Sequence, residues 1–332
     1  MNNSNVTVIG AGAWGTALAQ SFASNDKHVC LWAREDEVVS AINDEHVNST
    51  FLPAVELSSL IKATSDLSEA VAFSNILLIV TPAQHVRATL KNIAQIDAKD
   101  KSIVICAKGI ELDTGKLLSA VAHEELPNNV VAILTGPTFA SEISRGLPSA
   151  MTLAAETKDI ARDLRSHLNS KNLRLYVTDD VLGTQIGGAV KNVIAIGCGI
   201  LQGRDMGESA RAALVTRGLV EMSRLASAIG ARKETLNGMC GLGDLMLTCN
   251  SMQSRNFSLG YALGSGQTLE DILSERNSVT EGIHTAKALM TLAHNNAIDM
   301  PISEAVFDCV TGKKSVQESI DGLLGRPLPD QD

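Results

Sequence analysis

Over the first half of the chain, continuous apolar runs alternate with segments in which apolar residues recur at the spacing of a helix. Nearly continuous apolar runs that end at glycine, proline or a charged residue predict buried strands of a parallel sheet. Two shorter runs, at residues 149–154 and 173–177, predict the last strands, with a helix over residues 158–168 between them. The pattern therefore predicts an α/β region with a mainly parallel sheet. The longer runs cover residues 6–9, 28–34, 75–82, 102–109 and 130–140.

The pattern changes from residue 181 onward. Strand-like runs disappear, and residues 183–201, 210–229, 282–295 and 302–310 show helical apolar spacing. We therefore predict an α/β N-terminal domain over residues 1–180 and an all-α C-terminal domain over residues 181–332. Because the sequence has no low-complexity linker, repeat or charge block between them, we expect the two domains to pack directly against each other.

Glycines recur where the first apolar run meets the first predicted helix. Gly10 would make the tight turn, Gly12 would let a ligand approach the backbone, and Gly15 would let the helix pack closely on the strand. A pyrophosphate would then lie on the free N–H groups at the helix N-terminus. The alternative is that these glycines form an ordinary strand-to-helix turn, as in other α/β proteins. The strand before and the helix after favour a Rossmann-type, dinucleotide-binding domain.

Several predicted strands end at residues that can bind a ligand. Arg34 lies about 20 residues beyond the glycine turn, where an NAD site usually places an acidic residue on the ribose. Arg34 would accommodate a 2′-phosphate, whereas Glu35 would bind the unphosphorylated ribose, and Arg34 as a solvated charge is the third possibility. Lys108 and Gly136 follow two later strands. Since ligands of open α/β sheets bind at the carboxyl ends of strands, we expect the exits of the three strands at residues 75–82, 102–109 and 130–140 to be neighbours.

Composition narrows the classes of function. The 332 residues are 45% hydrophobic and only 3% aromatic, which suits aliphatic helices packed on a parallel sheet. A net charge of −9 gives no basic field for nucleic acid. The six cysteines are scattered, so we expect neither disulfides nor a metal site. Residues 1–5 lack the features of a secretion signal, and no apolar run reaches the ~20 residues of a membrane span. We expect a cytoplasmic protein without integral membrane association.

Three features of the second half are hard to explain by packing. Lys191 is surrounded by small and apolar residues, and burial lowers the pKa of a lysine towards the range useful for acid–base catalysis. A snorkelling or ion-paired structural lysine is the alternative. Asp244 follows several glycines and could hold the lysine or a substrate hydroxyl, or only cap a helix. Residues 254–256, Ser-Arg-Asn, could bind an oxyanion or form an exposed turn.

Together these motifs resemble the bacterial-type NAD(P)-dependent glycerol-3-phosphate dehydrogenases over essentially the whole chain. Their order and spacing make the resemblance more specific than any single motif. The matching stretches are residues 10–17, 31–34, 48–53, 107–109, 136–142, 190–192, 241–245, 254–256 and 281–282.

The resemblance implies that NADPH or NADH reduces dihydroxyacetone phosphate to sn-glycerol 3-phosphate, without a metal, and that Lys191 gives and takes the proton at the C2 oxygen. Thr138 stands where serine is common in the family and keeps the hydroxyl, whereas Ala13 lacks the hydroxyl of the serine often found there. The substrate would be surrounded by Lys108, Gly136, Thr138, Lys191, Asp244, Ser254, Arg255 and Asn256. The nucleotide would contact, besides Gly10, Gly12 and Gly15, the residues Ala13, Trp14, Arg34, Lys108, Ala140, Arg255, Val279 and Glu281.

Two other functions stay open from the sequence. A related 3-hydroxy acid dehydrogenase would share the two-domain plan and a lysine in the helical domain, but would need a carboxylate clamp. A dinucleotide-sensing binding module would bind the cofactor without turnover. The sequence leaves open the choice between NADPH and NADH. It also leaves open a homodimer, because the apolar helix near residues 286–292 could pack internally or across a two-fold axis.

Overall fold

Eight strands form one twisted sheet, and two more form a separate hairpin. The computed structural model describes residues 5–275 and 280–327. The strands are β1 (Val6–Ile9), β2 (Val29–Trp32), β3 (Val47–Asn48), β4 (Leu52–Glu56), β5 (Ile61–Thr64), β6 (Ile76–Ile79), β7 (Ser102–Ile105), β8 (Val130–Thr135), β9 (Ser149–Ala155) and β10 (Leu173–Thr178). The large sheet has the order β10-β9-β8-β7-β6-β1-β2-β5. Neighbouring strands are parallel except β8 and β9, and β3 pairs with β4 in an antiparallel hairpin.

Helices cover the sheet and build the second half of the chain. The helices are α1 (Ala13–Ala23), α2 (Asp36–Glu45), α3 (Leu67–Phe73), α4 (Val86–Ala94), α5 (Leu118–Glu125), α6 (Ala140–Ile143), α7 (Lys158–Leu168), α8 (Val181–Gly203), α9 (Gly207–Ala228), α10 (Lys233–Leu236), α11 (Asp244–Cys249), α12 (Arg255–Gly264), α13 (Leu269–Ser274), α14 (Glu281–Asn295), α15 (Pro301–Val310) and α16 (Val316–Leu324). A 3₁₀ turn spans Ala83–His85, and a π-helical turn spans Met239–Gly243.

The sheet separates two apolar cores. Side chains alternate along a strand, so Val8 of β1 belongs to the core on one face and Ile9 to the core on the other. Leu78 and Leu77 of β6 divide in the same way. This double burial explains why the central strands read as unbroken apolar runs in the sequence. The predicted α/β fold with a mainly parallel sheet is confirmed.

The sequence reading missed some features of the sheet. The edge strand β5 is short and carries the exposed Lys62, and β3 has only two residues, so neither shows a readable apolar pattern. The two last strands were predicted, but β9 runs antiparallel to β8. Periodicity carries no information about strand direction, which depends on the path of the connecting chain.

The second half of the chain packs around α8. Every residue from 183 to 200 is buried, which explains why most residues of this helix are small or apolar. By length and composition α8 is also the one helix of the described residues that could cross a bilayer, but 83% of its most apolar window is buried inside the protein. Core helices pass this test as well. The helical core that α8 forms also takes in Ile110 and Leu117 from the first half of the chain.

We propose that the boundary between residues 1–180 and 181–332 lies at the turn before α8. Asp180 fixes this turn with its side chain. One carboxylate oxygen accepts the N–H of Gly183 at 2.9 Å, and the other accepts the N–H of Arg232 at 2.9 Å. Asp180 thereby caps α8 and ties its start to the segment before α10.

Glycines let α8 and α12 cross with their backbones in contact. A Cβ atom added to Gly260 would lie 1.9 Å from the carbonyl oxygen of Ile196, and one added to Gly264 would lie 2.4 Å from that of Ile200. These distances are far below van der Waals contact, so the two helices could not approach this closely with any other residue. The crossing fixes the distance between the catalytic candidates on α8 and those at the start of α12.

We expect Gly260→Ala to lower the free energy of unfolding by about 1–3 kcal/mol or more, because the added methyl overpacks the crossing. Chemical denaturation measures the change. Gly322→Ala is the matched control, because Gly322 lies on the exposed face of α16 with nothing within 4 Å of an added Cβ. That control is expected to be neutral or slightly stabilising, since alanine favours helix. Equal stability of the two variants would contradict the argument.

Candidate active site

The exits of β7 and β8 bring Lys108 and Gly136 together. The two strands are parallel neighbours in the sheet, so the segments that follow them lie side by side. Lys108 Nζ donates a hydrogen bond to the carbonyl oxygen of Gly136 at 3.0 Å. The hydroxyl of Thr138 donates to the same carbonyl at 3.4 Å. The neighbourhood that the strand ends predicted is present in the structure.

Asp244 joins this sheet edge to the helical half of the chain. Its Oδ2 lies 2.6 Å from Lys108 Nζ, and its Oδ1 lies 2.7 Å from Lys191 Nζ, in the middle of α8. Asp244 is fully buried and Lys191 is 7% exposed. Lys191 also donates to the hydroxyl of Thr248 at 2.7 Å. One carboxylate therefore bridges two ammonium groups that are far apart in the sequence.

The environment of Lys191 lowers its pKa to about 8. Burial is the largest cause, because it penalises the charged ammonium. The carboxylate of Asp244 acts in the opposite direction, and the nearby positive charge of Lys108 lowers the pKa further. A lysine with this pKa can give up and regain its proton near neutral pH, as an acid–base catalyst must.

Asparagine side chains join three helices beside Lys191. Asn256 Nδ2 donates to Asn192 Oδ1 at 2.9 Å, and Asn256 Oδ1 accepts the backbone N–H of Gly282 at 3.0 Å. These bonds connect α8, α12 and α14. The hydroxyl of Ser254 accepts the N–H of Phe257 at 3.2 Å and so caps α12. Arg255, the first residue of that helix, is exposed beside the buried Asn256.

Glu281 connects the start of α14 to the sheet. Its Oε1 accepts the backbone N–H of Ala83 at 3.1 Å, just after the exit of β6. Burial raises the pKa of Glu281 to about 7, although the Ala83 hydrogen bond and the charge of Arg255 lower it in part. Arg255 and Glu281 are therefore close enough to interact electrostatically. Val279, the other candidate from this segment, lies outside the described residues.

The glycine turn has the features that a dinucleotide requires. Gly10 has a φ of +118°, a conformation that favours glycine. Gly12 is the exposed, extended N-cap of α1, and it has no side chain to occupy the first turn. The indole N–H of Trp14 is buried without a partner among the described residues. The helix start therefore offers both free backbone donors and open space, and it fits a nicotinamide dinucleotide.

Arg34 lies just beyond the end of β2, on the side where the ribose of such a dinucleotide would be bound. Its side chain is 81% exposed, and the guanidinium contacts Glu35 Oε1 through Nε at 3.1 Å and Nη2 at 2.8 Å. The two residues that the sequence offered as alternatives are therefore paired with each other.

Comparison with known proteins assigns the family. Residues 5–161 match the family model described as NAD-dependent glycerol-3-phosphate dehydrogenase N-terminus, and residues 180–321 match the corresponding C-terminus. The chain belongs to the NAD-dependent glycerol-3-phosphate dehydrogenase family. The resemblance found in the sequence is thereby confirmed.

Relatives of the dehydrogenase family match over nearly their full length. Glycerol-3-phosphate dehydrogenase [NAD(P)+] of Parvibaculum lavamentivorans is 52% identical over 97% of each chain, and that of Rhodospirillum rubrum is 50% identical over 97% of this chain and 93% of its own. A crystal structure of glycerol-3-phosphate dehydrogenase from Coxiella burnetii has a TM-score of 0.93 at 36% identity, covering 98% of this chain and 100% of that one. D-mandelate dehydrogenase, at 15% identity and a TM-score of 0.64, shares the fold alone.

The structure shows the contacts of two residues for which the sequence of this family member left alternatives open. Asp244 is the first residue of α11, but Gly243 is the N-cap, and the carboxylate binds two lysines instead of only capping the helix. Lys191 is ion-paired with Asp244, as expected for a structural lysine. The same carboxylate, however, also binds Lys108 at the sheet edge. Both residues thus lie in the same ionic group.

Sequence reasoning on this dehydrogenase missed Thr248, which binds the Lys191 ammonium. Thr248 lies one helical turn beyond Asp244, so it shares a helix face with the aspartate. That spacing was the signal from which Thr248 could have been predicted as a second partner of the lysine. Asn192 was noticed beside Lys191 but was given no role, and its bond to Asn256 depends on the crossing of α8 and α12.

Proposed function

We propose that this dehydrogenase catalyses reversible hydride transfer between NAD(P)H and C2 of dihydroxyacetone phosphate, with Lys191 as the proton donor and acceptor. The proposal rests on one observation. The Lys191 ammonium is buried and bound to Asp244, and Asp244 also binds Lys108 at the carboxyl edge of the sheet. The family, which the comparisons give, supplies the reaction.

The proton chemistry follows from Lys191. When bound, the nicotinamide cofactor supplies or accepts the hydride. During reduction, negative charge develops on the C2 oxygen, and the Lys191 ammonium donates its proton there. During oxidation, the neutral amine takes the hydroxyl proton back. Asp244 and Thr248 take two of the three N–H donors of the Lys191 ammonium, which leaves the third for the substrate oxygen.

We propose that the substrate phosphate lies against the start of α12. A guanidinium binds phosphate with two parallel hydrogen bonds, and Arg255 is exposed at this helix end. The amide of Asn256 has a second N–H besides the one given to Asn192. Lys108 adds positive charge in a chain whose net charge is −9. Gly136, Thr138 and Ser254 complete the proposed substrate site beside Lys191 and Asp244.

The proposed cofactor site follows the same sheet edge. Two observations support it. Helix α1 starts openly at Gly12, and the indole N–H of Trp14 has no hydrogen-bond partner among the described residues. Ala140, which begins α6 near the exit of β8, and Glu281, which contacts the exit of β6, lie along this edge. The full set of proposed contacts is Gly10, Gly12, Ala13, Trp14, Gly15, Arg34, Lys108, Ala140, Arg255, Val279 and Glu281.

Loss of reduced-nicotinamide absorbance tests the function. Purified protein is mixed with dihydroxyacetone phosphate and either NADPH or NADH. We expect turnover with dihydroxyacetone phosphate and much slower turnover with unphosphorylated dihydroxyacetone, because the phosphate fixes the pose. Turnover of a 3-hydroxy acid instead would favour the hydroxy acid dehydrogenase. Cofactor binding with no turnover of any of these substrates would favour the sensing module.

Arg34 is expected to favour NADPH over NADH. In Arg34→Leu we expect kcat/KM for NADPH to fall about tenfold, because a charge-assisted contact to the 2′-phosphate is lost, while the value for NADH changes little. Glu35→Gln removes the negative charge that now pairs with Arg34 and should shift the preference towards NADPH. Steady-state kinetics with both cofactors measure the ratio. Equal losses for NADPH and NADH would contradict this role of Arg34.

We further propose that the enzyme supplies glycerol 3-phosphate for phospholipid synthesis in the cytoplasm, without nucleic-acid or integral membrane association. The negative net charge supports the exclusion of nucleic acid. A homodimer is a further proposal. Light scattering on the purified chain measures the oligomeric state directly.

A further inference from the structure

Asn48 holds the glycine turn from outside the large sheet. It ends β3 in the separate hairpin, and it is only 1% exposed. Its Nδ2 donates to the carbonyl oxygen of Ala11 at 2.9 Å and lies 2.8 Å from the hydroxyl of Thr16. Its Oδ1 accepts the N–H of Phe51 at 3.1 Å. Both ends of the Asn48 amide are therefore engaged.

Two donors converge on the Ala11 carbonyl. Besides Asn48, the hydroxyl of Thr16 contacts this oxygen at 3.2 Å. The peptide between Ala11 and Gly12 is planar and trans, so its N–H points away from the side to which its carbonyl points. Holding the carbonyl inward against Asn48 therefore turns the Gly12 N–H outward, at the open end of α1. This is the direction from which a pyrophosphate would approach.

We propose that Asn48 is a positioning residue for the cofactor, which fixes the Ala11–Gly12 peptide with its N–H directed at the dinucleotide pyrophosphate. The inference rests on the proposed function, since it assumes that a dinucleotide binds at this turn. It assigns a role to a residue of the stretch 48–53, which provides none of the substrate or cofactor contacts proposed above.

A purely structural role makes a different prediction. If Asn48 served only to close the β3–β4 hairpin, its loss would lower stability and leave cofactor affinity unchanged. If it orients the peptide, its loss frees the Ala11 carbonyl to turn, and the dinucleotide must then restore the binding geometry at a cost to affinity. Affinity for cofactor measured without substrate separates the two roles.

The test compares Asn48→Leu with Asn43→Leu. Leucine keeps the approximate shape of asparagine and removes both hydrogen-bonding ends without adding charge. Asn43 is the matched control, because it also donates to a backbone carbonyl, that of Ala63 at 3.0 Å, and accepts the N–H of Ala63 at 2.8 Å. Fluorescence titration with NADPH gives the dissociation constant, and thermal unfolding of the cofactor-free proteins gives Tm.

We expect Asn48→Leu to raise the dissociation constant for NADPH about tenfold, the size expected for a lost hydrogen bond that orders a binding site. KM for NADPH should rise more than kcat falls. Asn43→Leu should lower Tm with a dissociation constant within about twofold of wild type. Thr16→Val removes the second donor to Ala11 and one acceptor of Asn48, but it leaves the Asn48 bonds to Ala11 and Phe51 in place. It should therefore raise the constant less, and it serves as the test if Asn48→Leu does not fold.

The outcomes are distinguishable. Unchanged NADPH affinity in Asn48→Leu, or in Thr16→Val where Asn48→Leu does not fold, would overturn the inference while the proposed function stands. Equal weakening in Asn43→Leu would also overturn it, because the effect would then be a general loss of stability. A wild-type protein that binds neither NADPH nor NADH would contradict the proposed function, and this inference with it.

Discussion

Lys191→Met is expected to lower kcat for the reduction of dihydroxyacetone phosphate by about 10²–10⁴-fold, the usual contribution of a positioned general acid. Methionine fills a similar volume but has no proton to donate to the C2 oxygen. The buried Asp244 keeps Lys108 as a partner at 2.6 Å, so the variant does not leave an unpaired charge in the core. Stopped-flow and steady-state kinetics with saturating substrate and NADPH measure the loss.

The control for this prediction is Lys116→Met. Lys116 is a half-exposed lysine that is ion-paired with Glu124 outside the site, and its loss should leave kcat within about twofold. NADPH affinity, measured by titration, should be similar in both variants. Near wild-type turnover of Lys191→Met with intact cofactor affinity would show that the proton comes from another group.

Local pattern was enough to predict the central strands and the long helices, but not the short elements or every contact between elements. Gly10, Gly12 and Gly15 stand between an apolar strand and an alanine-rich helix, and the structure has the turn they predict. The long buried helix around Lys191 was readable because all its faces are apolar or small. Both signals depend on residues within one or two turns of each other, where sequence spacing determines geometry.

The ionic group could not be derived in the same way. Asp244 lies 136 residues from Lys108 and 53 residues from Lys191, so their meeting depends on how the helical half docks on the sheet. The sequence suggested that Asp244 could hold Lys191 and read Lys108 only as a residue at a strand end, and the family resemblance placed all three in one site. Asn48 was missed because its partner is a backbone carbonyl, which has no sequence signature.

Close packing of helices links these distant residues. The glycine crossing of α8 and α12 sets the position of Asn256 relative to Asn192, and Asn256 in turn holds the first turn of α14 through Gly282. That turn carries Glu281, which binds the backbone at Ala83 beside the sheet. The proposed phosphate site and the proposed cofactor site are therefore joined by one series of hydrogen bonds.

Asp244→Asn is expected to shift the pH dependence of reduction to lower pH. The wild-type Lys191 ammonium has a pKa lowered to about 8, so kcat/KM for dihydroxyacetone phosphate should decline as pH rises through that value, because the acid form is lost. The Asp244 carboxylate opposes this lowering, whereas burial and Lys108 cause it. Without the carboxylate the pKa should fall further. Since a fall of one pKa unit would lower the protonated fraction at pH 8 from about one half to about one tenth, we expect a loss of about fivefold or more at pH 8.

The reverse reaction gives the opposite sign and thereby an internal check. Oxidation of glycerol 3-phosphate needs the neutral amine, so its rate should rise through a pH near 8 in the wild type and at lower pH in Asp244→Asn. Asp308→Asn is the matched control, because Asp308 is also buried and ion-paired, with Lys314 at 2.8 Å, but belongs to α15 and is not among the groups that shift the pKa of Lys191. Its pH profiles should match those of the wild type. If both directions lost activity equally in Asp244→Asn with no shift in either profile, Asp244 would act on the position of Lys191 and not on its protonation.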